Sequence, residues 1–398
     1  MVTTACRRPV RRAMKAAALL LAMLGGAGCQ PPQVADTGDI ATPSADPSRQ
    51  ESVQVALLVP AGSSQPGDAL LAESITNAAR MAVDDLEGVL VNLRVYETGG
   101  EVAKAQQAAL AALGDGAEII LGPVYAEAAN AVGRVVAPHD VNVLSFSNNT
   151  TIAGGNVFVL GATFANAADR MVAYAARRGR DRIVVVHADT VSGYLGRQAI
   201  ETAIQRAGAT LAGHVPYAFS AQGVEDAIPL IRDLVQTEGA NTLFLTASTS
   251  GALPRFSQLL PEAGLPPEAV QYLGLTQWNI PEQTLELPGL QGGWFPLPSP
   301  ARTAQFLERY QEIYGGQPHA IGILAYDGMA AIGALAKSGQ RAFDVADLTR
   351  SEGFVGGSGI FRLHAHGSNE RGLAIATIRN NQLRVIDPAP RRFGGFGL

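Results

Sequence analysis

Cysteine is nearly absent from this chain of 398 residues: Cys6 and Cys29 are the two, and the 369 residues beyond position 29 have none. A disulfide framework across the body is excluded, and with it a thiolate metal site or a cysteine nucleophile past residue 29. Lysine is as scarce, with Lys15, Lys104 and Lys337 only, which leaves little room for Schiff-base or phosphate-lysine chemistry. The apolar stretch at residues 16–24 is nine long, against the roughly 20 of a membrane-spanning helix. Also missing are G-x-x-x-x-G-K-[ST], G-x-G-x-x-G after a first strand, G-x-S-x-G and H-E-x-x-H. Without them no catalytic residue, metal or cofactor is expected, and the chain does not read as an enzyme. With 30 basic against 35 acidic residues, it also lacks the basic excess that a nucleic-acid-binding surface needs.

What the first segment does contain is ordered. Arg7, Arg8, Arg11, Arg12 and Lys15 precede the apolar stretch, and small residues Gly25, Gly26, Ala27 and Gly28 lead into Cys29. These are the parts of a secretory signal. A small-small-Cys ending resembles a bacterial lipoprotein signal, although Gly26 stands where a lipobox usually has Leu and Leu24 lies two residues further back. The resemblance implies cleavage after residue 28, acylation of Cys29 and attachment to a membrane. An ordinary signal peptide that leaves a free thiol is the alternative. After cleavage the balance becomes 25 basic against 35 acidic residues, a formal charge of −10. Gln30 follows the cysteine, which under the enterobacterial sorting rule favours the outer membrane. Residues 30–52 hold four prolines and almost no large apolar side chain. Such a segment cannot bury enough surface to fold and reads as a flexible tether.

Order begins at Val53. VQVALLV is a near-continuous apolar run, the pattern of a strand buried on both faces. Helical periodicity follows, with Leu71, Ile75, Ala78, Ala79 and Ala82 on one face. Strands are then expected at 91–97, 118–122, 141–146, 183–187, 212–219, 242–246 and 270–274, alternating with helices. Such alternation predicts an α/β protein of βαβ units with mostly parallel sheets. Two series of this length predict two Rossmann-like lobes. Past Trp294 the alternation breaks into helices at 301–314 and 319–337, a short one near 343–349, and a closing antiparallel pair at 373–379 and 383–387.

The order of elements resembles the type I periplasmic solute-binding proteins, in their branched-chain amino-acid (leucine)-binding branch. Five stretches carry the likeness: VALLVPAG, EIILGPVYAEAA, VNVLSFSNNT, VVVHADTVSGYLGR and ILAYDGMAAIGAL. The family implies three chain crossings between lobes, placed here near 162–164, 294–298 and 355–357. The expected division is signal peptide 1–28, tether 29–52, first lobe 53–163 with 297–355, second lobe 164–296 with 356–387, and a loose tail 388–398.

Open α/β sheets bind ligands at the carboxyl ends of their strands. The loops there present Tyr125, Ala126, Ser147, Asn148, Asn149, Tyr194, Ser248, Thr276 and Gln277 as candidate cleft residues. Each Ser or Asn could instead cap the following helix. Family members that hold amino acids use a Ser near position 126, a Thr near 149 and an acidic residue near 276. This chain has Ala126, Asn149 and Thr276, so parts of both clamps for a zwitterion are lost, and the expectation is either weak binding of a small, polar ligand, charged or neutral, or no ligand at all. The resemblance implies a non-catalytic, extracytoplasmic lipoprotein that captures a small polar solute for a membrane-bound ABC importer. The alternative is an outer-membrane lipoprotein that activates a penicillin-binding protein in peptidoglycan synthesis, a group that shares the fold, the anchor and a degraded clamp. His364 and His366 fall on one face of a strand, but no carboxylate cluster or cysteine in sequence reach completes a metal site.

Overall fold

The computed structural model describes residues 52–394. The signal peptide, Cys29, the tether and the last four residues lie outside the described residues.

Five parallel strands make the first sheet: β1 (Val53–Val59), β2 (Val91–Glu97), β3 (Ile119–Leu121), β4 (Asn142–Ser145) and β5 (Val157–Val159), in the order β2-β1-β3-β4-β5. Val53, Val55, Leu57 and Val59 face α1 (Asp68–Asp84), whereas Ala56 and Leu58 face α2 (Val102–Gly114) and α3 (Ala126–Val136). Helices cover both faces, which is why β1 reads as an apolar run and not as an alternation.

The second series begins with α4 (Phe164–Arg177), β6 (Arg182–Ala188), α5 (Val191–Ala207), β7 (Thr210–Tyr217) and α6 (Ala221–Glu238). It continues with β8 (Thr242–Leu245), α7 (Leu253–Glu262), β9 (Gln271–Gly274) and β10 (Trp294–Leu297). The chain then returns to the first lobe with α8 (Pro300–Tyr314), α9 (Gly322–Lys337), whose Ala325, Met329 and Ile332 pack in the core around Val55 and Leu57, and the short α10 (Val345–Leu348).

Residues 354–371 depart from expectation. They form a small antiparallel sheet of β11 (Phe354–Gly356), β12 (Gly359–Leu363) and β13 (Asn369–Arg371). Phe354, Phe361 and Leu363 pack in the core of the first lobe. Only at β14 (Ala374–Arg379), with β15 (Gln382–Asp387) beside it, does the chain join the second sheet, whose order is β15-β14-β10-β9-β8-β6-β7. The third crossing therefore lies at 372–373, not at 355–357, and 356–371 moves from the second lobe to the first. The physical reason is apolar: the rings of Phe354 and Phe361, 5.6 Å apart, bury themselves against the α9 side of the first sheet and draw the small sheet with them.

All three crossings touch a carboxyl edge of one of the two large sheets. The first follows the carboxyl end of β5 and enters the N-terminus of α4. The second follows β10, which runs parallel to β9. The third enters β14 at Ala374, which is paired with Leu297 at the end of β10. The carboxyl edges of the two sheets are thus brought together at the crossings. There, Asn369 donates through Nδ2 to the carbonyls of Val159 (2.7 Å) and Gly161 (2.9 Å), stitching the third crossing to the first. Arg371 donates through Nε to the carbonyl of Leu160 at 2.9 Å and through Nη1 to Asp327 Oδ2 on α9 at 2.8 Å. Thr163 and Asn166 form a capping box on α4 in the same place. No helix among the described residues is long and apolar enough to cross a membrane.

Candidate functional site

In each sheet the strand order reverses once, and the crevice at such a reversal is where open α/β sheets bind ligands. In the first sheet the reversal lies between β1 and β3. Its loops are 60–67, leading into α1, and 122–125, leading into α3. In the second sheet it lies between β6 and β8, with the loops 189–190 and 246–252. Tyr125, Ala126, Tyr194 and Ser248 all fall on these four loops or the first helical turn beyond them.

On the first lobe the structure adds a residue that the pattern of Ser, Asn and Tyr did not single out. Asp68, at the first position of α1, is 4% exposed. The Tyr125 hydroxyl donates to its Oδ1 at 2.5 Å, while Oδ2 is buried with no hydrogen-bond partner. Burial, followed by the hydrogen bond to Asp68, pushes the Tyr125 phenol up to about 12, so the hydroxyl keeps its proton at neutral pH. Tyr125 itself is 38% exposed and stands over the carboxylate.

The loop after β4, which carries Ser147, Asn148 and Asn149, is partly consumed by its own turns. Ser145 Oγ donates to the carbonyl of Pro123 at 2.9 Å and accepts from the amide of Ser147 at 3.1 Å. Ser147 Oγ accepts from the amide of Asn149 at 3.1 Å, and Asn149 Oδ1 accepts from the amide of Thr151 at 2.9 Å. For Asn149 the capping role is thus the one in place. Asn148 is exposed and packs at Gly161, where a side chain would come within 2.8 Å of the Asn148 Cβ.

On the second lobe, α5 starts at Val191, with the Thr190 side chain capping the amide of Gly193. Tyr194 therefore sits in the first helical turn. Its hydroxyl donates to Asp189 Oδ1 at 2.5 Å, and this bond raises its pKa. A glycine at 193 is required, since a Cβ there would lie 2.0 Å from the carbonyl oxygen of Ala188. His187, at the end of β6, is 1% exposed and lies against Tyr194, with ring centroids 5.3 Å apart. Desolvation lowers its pKa, and its Nε2 has no partner while Nδ1 meets the Ala188 carbonyl at 3.1 Å. Thr249 Oγ1 donates to the carbonyl of Ile280 at 2.6 Å and joins the loop of Ser248 to that of Thr276 and Gln277. Thr276 Oγ1 is buried without a partner. Trp278 is wholly buried against Phe295 and belongs to the core, not to the cleft.

The arrangement offers hydroxyls, amides, two tyrosines and two carboxylates from opposite lobes, a set suited to holding a small molecule by hydrogen bonds. The His364 and His366 rings stack 5.4 Å apart, and His364 Nε2 is 3.9 Å from Glu370 Oε2. Among the described residues no group of three or more His, Cys, Asp or Glu is placed to hold a metal ion.

Comparison with known proteins places this geometry in context. A family model described as periplasmic binding protein matches residues 52–382. No curated protein sequence matches. Among solved structures, a putative branched-chain amino acid ABC transporter protein from Rhodospirillum rubrum is similar with a TM-score of 0.71 at 18% identity, covering 84% of this chain and 100% of its own. A leucine-binding protein from Thermotoga maritima is similar with a TM-score of 0.56 at 17% identity, covering 85% of this chain and 98% of its own. A solute-binding protein from Rhodopseudomonas palustris in complex with 3,4-dihydroxybenzoic acid has a TM-score of 0.58 at 15% identity, covering 85% of this chain and 98% of its own. At these identities the structural likeness speaks for the fold.

Proposed function

The chain belongs to the periplasmic binding protein family, and from that premise we propose that it captures a small solute between its lobes on the outer side of the cytoplasmic membrane and delivers it to an ABC importer, without covalent chemistry. The observation that carries the reading is that each sheet has a strand-order reversal and buried polar atoms without a partner near the carboxyl ends of its strands: Asp68 Oδ2 on one lobe, His187 Nε2 at the end of β6 and Thr276 Oγ1 after β9 on the other. A buried polar atom with no partner costs about 1–3 kcal/mol, and a bound solute would relieve that cost. The similar structures named above include solute-binding and transport proteins, which favours import over activation of a penicillin-binding protein.

The test is a calorimetric screen of amino acids, amines, aromatic acids and small amides against the purified domain, paired with solution scattering. The expected outcome is one class binding in the micromolar range, with a measurable fall in radius of gyration as the lobes close. Absence of binding across the screen, with copurification of a cell-wall synthase, would reverse the assignment.

Import also bears on the anchor. A flexible chain of about 23 residues, the length expected of the tether, would have a root-mean-square reach of only about 25–30 Å, at ~5–6 Å × √n. An importer must then lie in the membrane that holds Cys29, which for this function is the inner one, against the outer-membrane preference suggested by Gln30. The Cys29→Ser variant is expected in the soluble extracytoplasmic fraction, with the parent in the inner membrane. Equal membrane partition of both would remove the anchor, and an outer-membrane parent would count against import.

A further inference from the structure

The amino-acid clamp expected near Thr276 is missing, yet the cleft does not lack a carboxylate. We propose that Asp68 has taken over the cation-binding role from the opposite lobe, and that the solute is an organic primary amine without an obligatory α-carboxylate. This rests on the cleft being a solute site, as argued above.

Four observations converge. The first is placement: Asp68 and Tyr125 flank the reversal between β1 and β3, where a ligand is expected in an open sheet. The second is the unmet oxygen. Asp68 is 96% buried, Oδ1 is satisfied by Tyr125, and Oδ2 has no donor. Asp68 stands at the N-terminus of α1, yet no backbone amide of the helix bonds to its carboxylate, so Oδ2 is left without a donor.

The third is the shape around that oxygen. Gly100, after β2, has φ +70°. A side-chain carbon on it would lie 3.2 Å from Asp68 Oδ2, 3.2 Å from Ser63 Oγ and 3.4 Å from the Tyr125 ring. A carboxylate oxygen, a hydroxyl and an aromatic ring thus crowd together beside Gly100, where even one added side-chain carbon would be tight. An ammonium group makes favourable contact with all three kinds of group. Lys104, which lies against Gly99, is already paired with Glu101 at 2.8 Å and exposed, so it does not fill this role.

The fourth is the absence of a matching anion site. Ala126 brings no hydroxyl, and Glu127 puts a negative charge in the first turn of α3, where a ligand carboxylate would approach. Asn149 is spent on its own turn. Across the cleft, the exposed Asp189 with Tyr194 adds a second carboxylate. The second lobe also exposes Val191, Phe219 and Ile280 in the segments that follow β6, β7 and β9, apolar side chains on the same lobe as Asp189.

The experiment is calorimetry of the purified domain with 2-phenylethylamine and n-hexylamine, against leucine and hexanoate, and with the solute screen above as reference. The amines are expected to bind in the micromolar range, hexanoate not at all, and Asp68→Asn to weaken the amines at least tenfold with the thermal midpoint held within a few degrees. Should Asp68→Asn fail to fold, Ser63→Ala tests the same cradle, with an expected three- to fivefold loss. Amine binding unchanged in these variants would overturn the proposal. So would binding of leucine, hexanoate or another screened solute where the amines fail, although solute capture would then stand. Failure of every solute in the screen would remove both the proposal and the reading beneath it.

Discussion

Asp327→Ala is expected to lower the stability of the folded body by about 3–5 kcal/mol, the range found when one partner of a buried ion pair is removed. Asp327 is 0% exposed and Arg371 8%. The guanidinium donates to Asp327 Oδ2 at 2.8 Å, to Ser358 Oγ at 2.6 Å and to the Leu160 carbonyl. Ser358 in turn donates to both Asp327 oxygens, through its amide at 3.0 Å and its hydroxyl at 2.5 Å. Gly356 is pressed so close that a Cβ would fall 2.1 Å from Asp327 Oδ1. The network joins α9, the small sheet and the first crossing, so losing the carboxylate strands a buried cation where the lobes meet. Urea denaturation followed by circular dichroism measures the loss. The paired replacement Asp327→Leu with Arg371→Met should recover part of it, because an apolar pair leaves no orphaned charge. A single-variant loss below about 1 kcal/mol would show that the small sheet is held by Phe354 and Phe361 alone.

That network also marks where the sequence stopped being informative. β1 and β2 run over the residues expected from them, since Val53–Val59 and Val91–Glu97 are bounded by turn residues. These signals are local. Residues 354–371 contain eight glycine, serine and histidine positions between short apolar runs (Gly356, Gly357, Ser358, Gly359, His364, His366, Gly367 and Ser368), and their strands of three to five residues carry too little alternation to be read. Their position depends on Asp327 and Arg371, 44 residues apart. The site divides the same way. Tyr125, Ala126, Tyr194 and Ser248 are candidates from the sequence because a loop at a strand's carboxyl end is visible in one dimension. Asp68 is not, because an acid after Gly67 looks like an ordinary first-turn charge. Its pairing with Tyr125, 57 residues on, is tertiary. The sequence did carry a faint signal in Gly99-Gly100, two glycines with left-handed φ directly after a strand.

Trp278→Ala is expected to cost about 3–5 kcal/mol, the range for truncating a buried aromatic, and to weaken solute binding beyond what that destabilisation alone would cause. In sequence the residue sits one position after Thr276-Gln277 and reads as part of the cleft loop. In the structure the indole is wholly buried, stacked on Phe295 with centroids 5.6 Å apart. Two glycines make room for it, since a Cβ on Gly274 or Gly293 would come within 2.4 or 2.5 Å of the ring. The indole is thus the wedge that sets the exit of β9 and holds Thr276 at the cleft edge. Removing it leaves a cavity bounded by backbone at Gly274 and Gly293, which has no side chains that could collapse inward. Trp278→Phe fills much of that space, and because the Nε1 hydrogen has no acceptor in the fold, its loss carries no hydrogen-bond penalty. The expected order of stability is therefore parent, then Trp278→Phe, then Trp278→Ala, with Phe far nearer the parent. Thermal denaturation gives the stability order, and calorimetry with the solute from the screen gives the binding one. A Trp278→Phe variant as unstable as Trp278→Ala would mean that the indole nitrogen does hold a partner in solution, and that the loop is fixed by that bond and not by packing.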